Sequence, residues 1–452
     1  MTSAADLLVD LPPAVADGAI VDEPGVERLA VELKAARRCV VVVGSSISGL
    51  VLASRLSRAE GLTVVLVPGS PPVRRRLIAG CSLRWSTIRR MAAGIGTTAA
   101  ELHERLGGAP ASFRWLAVER ADPGDGAGLR FTRRRGTWAP ADPIMGLSTR
   151  HGAILSSLRS LLVAGPGLRV VAGGVDRGAR LENGTGLPLR LPGGDALLTL
   201  PPDQSVVCNA TSTAELLRPG RSLPEPTRWV AAVQAPLRSR SADPFDGRDV
   251  GIAPMTRGRP RPHLAFFTPF ADPDTPDANW YVINTTLVRA GDLAEVSRDR
   301  LVADTRDRMR ELEAHYGFDE IDPEETLGEA LVPVESESGA TLQGRLEDGS
   351  PVVDVHRAFT SGAPAINVDG MLAAAVGADV FADAFLLADG SAPAAARSAL
   401  AVADRSLLGI RTRNRLTQFS FFLGPEANRA LTARLPRRAW QLFVDDWVRL
   451  GG

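Results

Sequence analysis

The sequence predicts an α/β protein in which a parallel, nucleotide-binding sheet is interleaved with an antiparallel one, and three observations carry that prediction. An apolar run, Cys39 to Val43, ends at Gly44-Ser45-Ser46-Ile47-Ser48-Gly49, and a helical stripe and a second apolar run, Thr63 to Val67, follow it. Strand-forming runs joined by Pro, Asp and Gly loops fill the stretch from Trp229 to Val288. Late in the chain, Ile366-Asn367-Val368 and Asp369-Gly370 precede a long alanine-rich helix from Met371 to Leu387.

Residues 1 to about 24 carry prolines and acids without periodicity and read as an arm; Glu27 to Lys34 reads as a short amphipathic helix. Continuous apolar runs such as Cys39 to Val43 suit parallel strands buried on both faces. Leu50, Ala53, Leu56 and Ala59 give the next helix its apolar face, and Gly61 stops it. A right-handed crossover makes the two strands parallel neighbours, a βαβ unit of Rossmann type. Ile78 to Gly96 reads as a turn and helix, and Gly152 to Val163 as a helix with Ile154, Leu155, Leu158, Leu161 and Leu162 as its stripe. Val170-Val171 and Ser205 to Cys208 read as short buried strands on either side of a polar hairpin. Trp229 to Val233, Leu264 to Phe267 and Trp280 to Asn284 read as antiparallel strands, Leu301 to Tyr316 as a helix, and Val352 to Val355 as a strand.

The expected division is therefore an N-terminal arm and short helix (1–38), the first parts of the Rossmann-like domain (39–225), an antiparallel-sheet substrate domain (226–350), a return to the first domain (351–400) and a helical C-terminal cap (401–452) carrying Trp440, Phe443 and Trp447.

Composition narrows the function. The chain has 452 residues, 44% of them hydrophobic, enough for a sizeable core, and its 52 basic and 52 acidic side chains cancel. That balance argues against a nucleic-acid or anionic-membrane partner, which calls for a basic excess. The clusters Arg74-Arg75-Arg76 and Arg133-Arg134-Arg135 read as solvated loops. Cys39, Cys81 and Cys208 form neither a metal-ligand spacing nor a disulfide framework, and the five histidines form no metal pair. No apolar run approaches the roughly 20 residues of a membrane span, and acids occupy the N-terminus where a signal peptide has lysines. A cytoplasmic protein is expected, without a metal.

A phosphate needs backbone N–H donors with no side chain in the way, and a glycine turn at a helix N-terminus supplies them. Gly44 permits the turn and Gly49 the close packing of helix on sheet. The second glycine of a G-x-G-x-x-G pattern is here Ser46. The acid that ends the second strand and binds a ribose hydroxyl is replaced by Pro68, followed by Gly69 and Ser70.

The segment Val43-Gly44-Ser45-Ser46-Ile47-Ser48-Gly49-Leu50 resembles the FAD-dependent monooxygenases of the p-hydroxybenzoate hydroxylase and geranylgeranyl reductase superfamily. Gly80 to Gly96 resembles the glycine, turn and helix that follow that family's second strand. Ser148-Thr149-Arg150 resembles the place where an arginine begins a helix and reaches the cofactor. Val206-Val207-Cys208-Asn209-Ala210-Thr211 resembles the strand ending in a turn by the adenosine, with Ser212 where that turn has glycine. Asp369-Gly370, with Gly377 beyond it, resembles in reversed order the Gly-Asp pair whose aspartate holds the ribityl chain. The resemblance implies FAD, held by Gly44, Ser45, Ser46, Ser48, Gly49, Arg150, Ala210, Thr211, Asp369, Gly370 and Gly377. It also implies reduction by NAD(P)H, for which no second glycine fingerprint is present, or by a partner reductase.

A flavin does the redox chemistry while the protein positions the substrate and supplies electrostatics, so no nucleophile motif is required. None is found: the serine-hydrolase elbow, P-loop, HExxH motif and Trp-containing motif of flavin-dependent halogenases are all absent. His263, Phe266, Phe267, Phe270, Trp280, Tyr281 and Asn284 form the candidate substrate wall for an apolar, polycyclic small molecule, with His263, Phe267, Trp280 and Asn284 assigned to binding, and alternation aims only half of that region's aromatics at one side. His356 and Arg357 are candidates for acid, base or anion clamp, with a surface salt bridge as the alternative. A flavoprotein fold that performs a cyclisation, isomerisation or rearrangement, and a non-catalytic binder of small molecules, are the other readings left open.

Overall fold

The computed structural model describes residues 20–68, 80–113, 115–119, 128–132, 146–175, 181, 185–211, 228–241, 244, 261, 263–272, 275–321, 328–333, 352–360 and 370–412. Asp369, the run Ile366-Asn367-Val368, Ser212, both arginine clusters and the C-terminal tryptophans lie outside the described residues.

The parallel sheet has six strands: β1 (Ile20–Val21), β2 (Arg38–Val43), β3 (Leu62–Val67), β9 (Leu168–Val171), β12 (Ser205–Asn209) and β18 (Val352–Val353), in the order β1-β9-β3-β2-β12-β18. Every neighbouring pair is parallel. Val40 to Val43 and Val64, Val65 and Val67 have no exposed surface, because each strand is covered on both faces. Val40, Val42, Val64 and Leu66 pack under α2 (Ile47–Ser57), α3 (Trp85–Ile95), α5 (His151–Ser160), α9 (Gly370–Leu387) and α10 (Ala392–Ser406). Val41, Val43 and Val65 pack under α1 (Glu23–Ala35) and the hairpin of β10 (Gly186–Leu191) and β11 (Gly194–Thr199).

Residues 20–24, the described part of the expected arm, belong to a strand and a helix. Residues Ile20 and Val21 pair with Val170 and Val171, and α1 is longer than expected because Asp22 accepts from the Gly25 N–H and Pro24 sits in its first turn. The helix α9 has an apolar 18-residue window long enough to cross a membrane, which the run-length reading missed. Half of that window is buried, with Leu372, Phe381 and Phe385 fully covered, as in a core helix.

A three-stranded antiparallel sheet, β4 (Gly80–Arg84), β8 (Gly146–Arg150) and β5 (Ser112–Phe113), follows the βαβ unit in the order β4-β8-β5, and β6 (Trp115–Glu119) and β7 (Gly128–Thr132) form a separate hairpin. Between β12 and β18 the chain builds the second large sheet from β13 (Arg228–Ser239), β14 (His263–Pro269), β15 (Trp280–Arg289), β16 (Phe318–Glu320) and β17 (Gly328–Pro333). Its order is β14-β15-β13-β16, with β17 also on β13. The helix α7 (Arg298–Tyr316) covers one face, where Met309 and Leu312 pack on Val233, Ala235, Phe267 and Val282.

At the end of α7 a carboxyl is buried with the wrong electrostatics for a charge. Burial pushes Glu313 up to about 8, the Glu320 carboxylate on β16 adds to the shift, and Arg310 opposes it. Arg310 Nε donates to Glu320 Oε1 at 3.0 Å, so Glu320 keeps its charge partner and Glu313 keeps its proton. The folded state thus holds a proton that the unfolded chain releases near the ordinary 4.5. Stability from this site is complete below that value and falls as pH rises toward about 8. The variant Glu313→Gln is expected to match the parent in urea unfolding at pH 4 and to exceed it by about 1–3 kcal/mol at pH 9. Equal pH dependence of the two proteins would contradict the assignment.

Candidate functional site

In the parallel sheet β3 lies on one side of β2 and β12 on the other, so the strand order reverses at β2 and leaves a crevice at the carboxyl edge. The turns after β2, β3, β12 and β18 all arrive at this edge. Gly44 has φ +106°, and an added Cβ would lie 2.7 Å from Thr211 Cβ and 3.1 Å from the Ala210 carbonyl. Gly49 is fixed by space alone, since its Cβ would fall 2.0 Å from the Gly44 carbonyl oxygen. The turn is also tied to β3: Gly44 N–H donates to Val67 O at 2.8 Å and Ser45 N–H to Pro68 O at 3.2 Å. Pro68 therefore contributes a carbonyl to the turn and no acid for a ribose.

Ser46 explains the missing second glycine. It is the N-cap of α2, accepting from Gly49 N–H at 3.4 Å, and its hydroxyl donates to the Ala210 carbonyl. One side chain thus caps the helix and stitches the β2 turn to the end of β12. Ser48, one helical position on, is 1% exposed, and its hydroxyl has no partner among the described residues. An α-helix N-terminus, a glycine cradle and a buried hydroxyl without a partner together suit the phosphates of a nucleotide. Ala210 N–H donates to Val43 O at 2.8 Å and Thr211 N–H to Asn209 Oδ1 at 3.4 Å, which sets the β12 turn against the cradle.

At the far edge, β18 is shorter than expected: the strand stops at Val353 and a short helix, α8 (Val355–Thr360), begins. Among the described residues, the aspartate that follows a strand at the carboxyl edge is Asp354. Its Oδ1 accepts from the Arg357 N–H at 3.1 Å, and its Oδ2 lies 3.7 Å from Arg357 Nε. His356 and Arg357 sit on α8, both half-buried, and Arg357 is held by Asp354. Gly370 opens α9. Gly377 lies two turns inside that helix, where its missing Cβ makes room for the Phe359 ring, whose Cγ would be 2.5 Å away. In this place the glycine serves the packing of α9 on Phe359.

Two other expectations change. Arg150 begins α5 as the resemblance implies, but its Nη2 donates to the buried carboxylate of Asp272 at 2.6 Å, bridging the β8 end to the loop after β14. His263, Phe267, Trp280 and Asn284 lie together on the face of the antiparallel sheet that α7 covers. There Phe267 stacks on Phe318, the His263 Nδ1 and Thr286 Oγ1 are 2.7 Å apart, and Asn284 Nδ2 donates to Thr305 O of the helix at 2.8 Å. They form the back of the sheet. The opposite face carries Gln234, Phe266, Thr268, Tyr281 and Ile283 and meets β4 and β8. Burial raises the Cys39 thiol to about 11 and the Cys208 thiol to about 12, so both stay protonated packing groups.

No family model and no curated protein matches the sequence. Solved structures do match the fold over most of its length. A triple mutant of the flavin-dependent brominase Bmp2 is 13% identical and superposes with a TM-score of 0.56, covering 91% of this chain and 95% of that one. A geranylgeranyl bacteriochlorophyll reductase-like protein from Thermoplasma acidophilum is also 13% identical, with a TM-score of 0.55 over 91% of this chain and 92% of its own. FqzB gives 15% identity and 0.53 over 92% and 94%. The chain has the fold shared by this flavin-dependent brominase and this geranylgeranyl reductase-like protein, the architecture that the sequence resemblance implied.

Proposed function

We propose that the protein is an FAD-dependent oxidoreductase, a monooxygenase acting on an apolar, polycyclic metabolite. The observation that supports this most is the convergence of four turns, Gly44–Gly49, Pro68, Ala210–Thr211 and Asp354, on one crevice at the carboxyl edge of the sheet. In this reading the α2 N-terminus with Ser48 faces the pyrophosphate, Ala210 and Thr211 stand by the adenosine, and Asp354 receives the ribityl hydroxyls. When bound, the flavin supplies the electron transfer and oxygen chemistry. The chain's own residues bind and orient: Gly44 and Gly49 let backbone approach the phosphates, and Ser46 holds the two inner turns together. NAD(P)H or a partner reductase is the electron donor.

A second reading keeps the fold without its redox use. Arg357 already pairs with Asp354, and Pro68 offers no ribose acid. A cyclisation or rearrangement guided by shape is then the alternative. NAD(P)H-driven bleaching of protein-bound flavin, with oxygen uptake on adding substrate, separates the two. Bleaching by NAD(P)H or by a flavin reductase is the expected result, and a bound flavin that neither donor reduces would favour the second reading.

A further inference from the structure

The face of the antiparallel sheet opposite α7 carries hydrogen-bond donors that nothing described accepts. Strand register sets Gln234, Ile283 and Phe266 side by side in one row and Pro236, Tyr281 and Thr268 in the next. Tyr281 is 1% exposed, and its ring packs against Phe270 with centroids 4.9 Å apart, so its hydroxyl is fixed in place. That hydroxyl donates to Gln234 Oε1 at 3.1 Å. With its oxygen occupied, the Gln234 amide turns its two N–H donors away from Tyr281.

Thr268 is a second such donor. Ser148 Oγ donates to Thr268 Oγ1 at 2.6 Å, and Ser82 Oγ is 2.8 Å from Ser148 Oγ. Ser148 has one proton, and it goes to Thr268, so Ser82 must be the donor to Ser148. The Thr268 proton then has no acceptor among the described residues, although the residue is 1% exposed. A buried donor left without an acceptor is costly, so Thr268 calls for an oxygen acceptor brought by a ligand, and the half-buried Gln234 amide offers two further donors on the same face. Gln234, Phe266 and Ile283 are half-buried, which leaves the first row reachable. The strands that carry Gln234 and Thr268 flank β15, about 10 Å apart at two strand spacings.

We infer that this face binds a flat apolar ring system bearing carbonyl-type oxygens, with Gln234 as the specificity-determining donor and Tyr281 as the residue that positions it. The inference rests on the reading of the protein as an enzyme of apolar polycyclic substrates and names the chemistry that this substrate must carry. Ile283 and Phe266 supply the apolar floor, and Gln234 selects oxygenated rings over hydrocarbons, because a site built to donate a hydrogen bond rejects an analogue that lacks the acceptor.

The test uses 9-fluorenone and fluorene, which share a ring shape and differ in the carbonyl. Equilibrium dialysis of each against the full chain should show fluorenone bound about 10-fold more tightly. Gln234→Leu should bring the two within about 2-fold of each other, and Gln234→Glu, which turns a carboxylate oxygen toward the ligand, should weaken fluorenone below fluorene. Tyr281→Phe should give an intermediate preference because the amide is no longer held. Phe267→Leu, on the helix-covered face, should leave the preference unchanged. Equal binding of the two probes by the parent, binding of neither up to its solubility, or an unchanged preference in Gln234→Leu would overturn the inference. Circular dichroism confirms folding of each variant, and FAD retention is measured on the same samples. Failed probe selection with FAD retained refutes the ring site alone, whereas loss of FAD binding in the parent refutes the flavin reading.

Discussion

Gly49→Ala is expected to destabilise the protein by about 3–4 kcal/mol, a large effect for the addition of one methyl group. The new Cβ would stand 2.0 Å from the Gly44 carbonyl oxygen and 3.2 Å from Ala210 Cβ. The first contact is backbone of the turn itself, so no rotamer change relieves it. Either α2 lifts off β2 or the turn after β2 opens, and both disrupt the packing of Leu50, Val51 and Ala53, which have no exposed surface. Urea unfolding followed by far-UV circular dichroism measures the change. A loss under about 1 kcal/mol would mean that the turn and helix are not as closely apposed as described.

The second large effect is expected from Asp272→Ala, at about 3–5 kcal/mol. Asp272 accepts from Arg150 Nη2 at 2.6 Å and from Thr275 Oγ1 at 2.9 Å, and the two side chains of the ion pair are 2% and 19% exposed. Removing the carboxylate leaves a mostly buried guanidinium at the junction of the β8 end with the antiparallel sheet. Truncating Thr275 to Ala removes only a neutral donor and should cost about 1 kcal/mol. The ratio of the two losses, read from urea midpoints, is the informative quantity. Equal small losses would show that the Arg150–Asp272 contact is not an energetic link between the two sheets.

The βαβ unit was legible from residues alone because Val40 to Val43 and Val64 to Val67 are buried on both faces, and a glycine turn between such runs has few other meanings. The antiparallel strands were legible as strands, but not the function of their faces. Alternation sorts His263, Ala265 and Phe267 from Leu264, Phe266 and Thr268, and it contains nothing about which set a helix will cover. The cover is α7, and its contact with Phe267 and Asn284 is a tertiary fact. The same limit hid Gln234, whose pairing with Tyr281 depends on the register of β13 with β15.

Asp354 was missed for a different reason. A two-residue strand has no periodicity to detect, and the six residues of α8 are too short for a helical stripe, while Asp369, the residue to which the resemblance points, lies outside the described residues. The pattern of a valine pair ended by an aspartate, Val352-Val353-Asp354, was present in the sequence, and only the pairing of β18 with β12 gives it meaning. Ser46 is the converse case. In the sequence it is only a departure from glycine, and the geometry makes it a cap and a stitch between two turns.

The proposed function requires the crevice between the ends of β2, β12 and β18 to hold FAD. Titration of the purified protein with FAD, followed by the shift and structure of the flavin absorbance band and by dialysis to obtain stoichiometry, tests it most directly. One FAD per chain is predicted, with affinity reduced at least about 10-fold in Asp354→Ala, whose lost hydrogen bonds to a bound ligand justify that size. A flavin spectrum identical to that of free FAD, with none retained on dialysis, would contradict the claim.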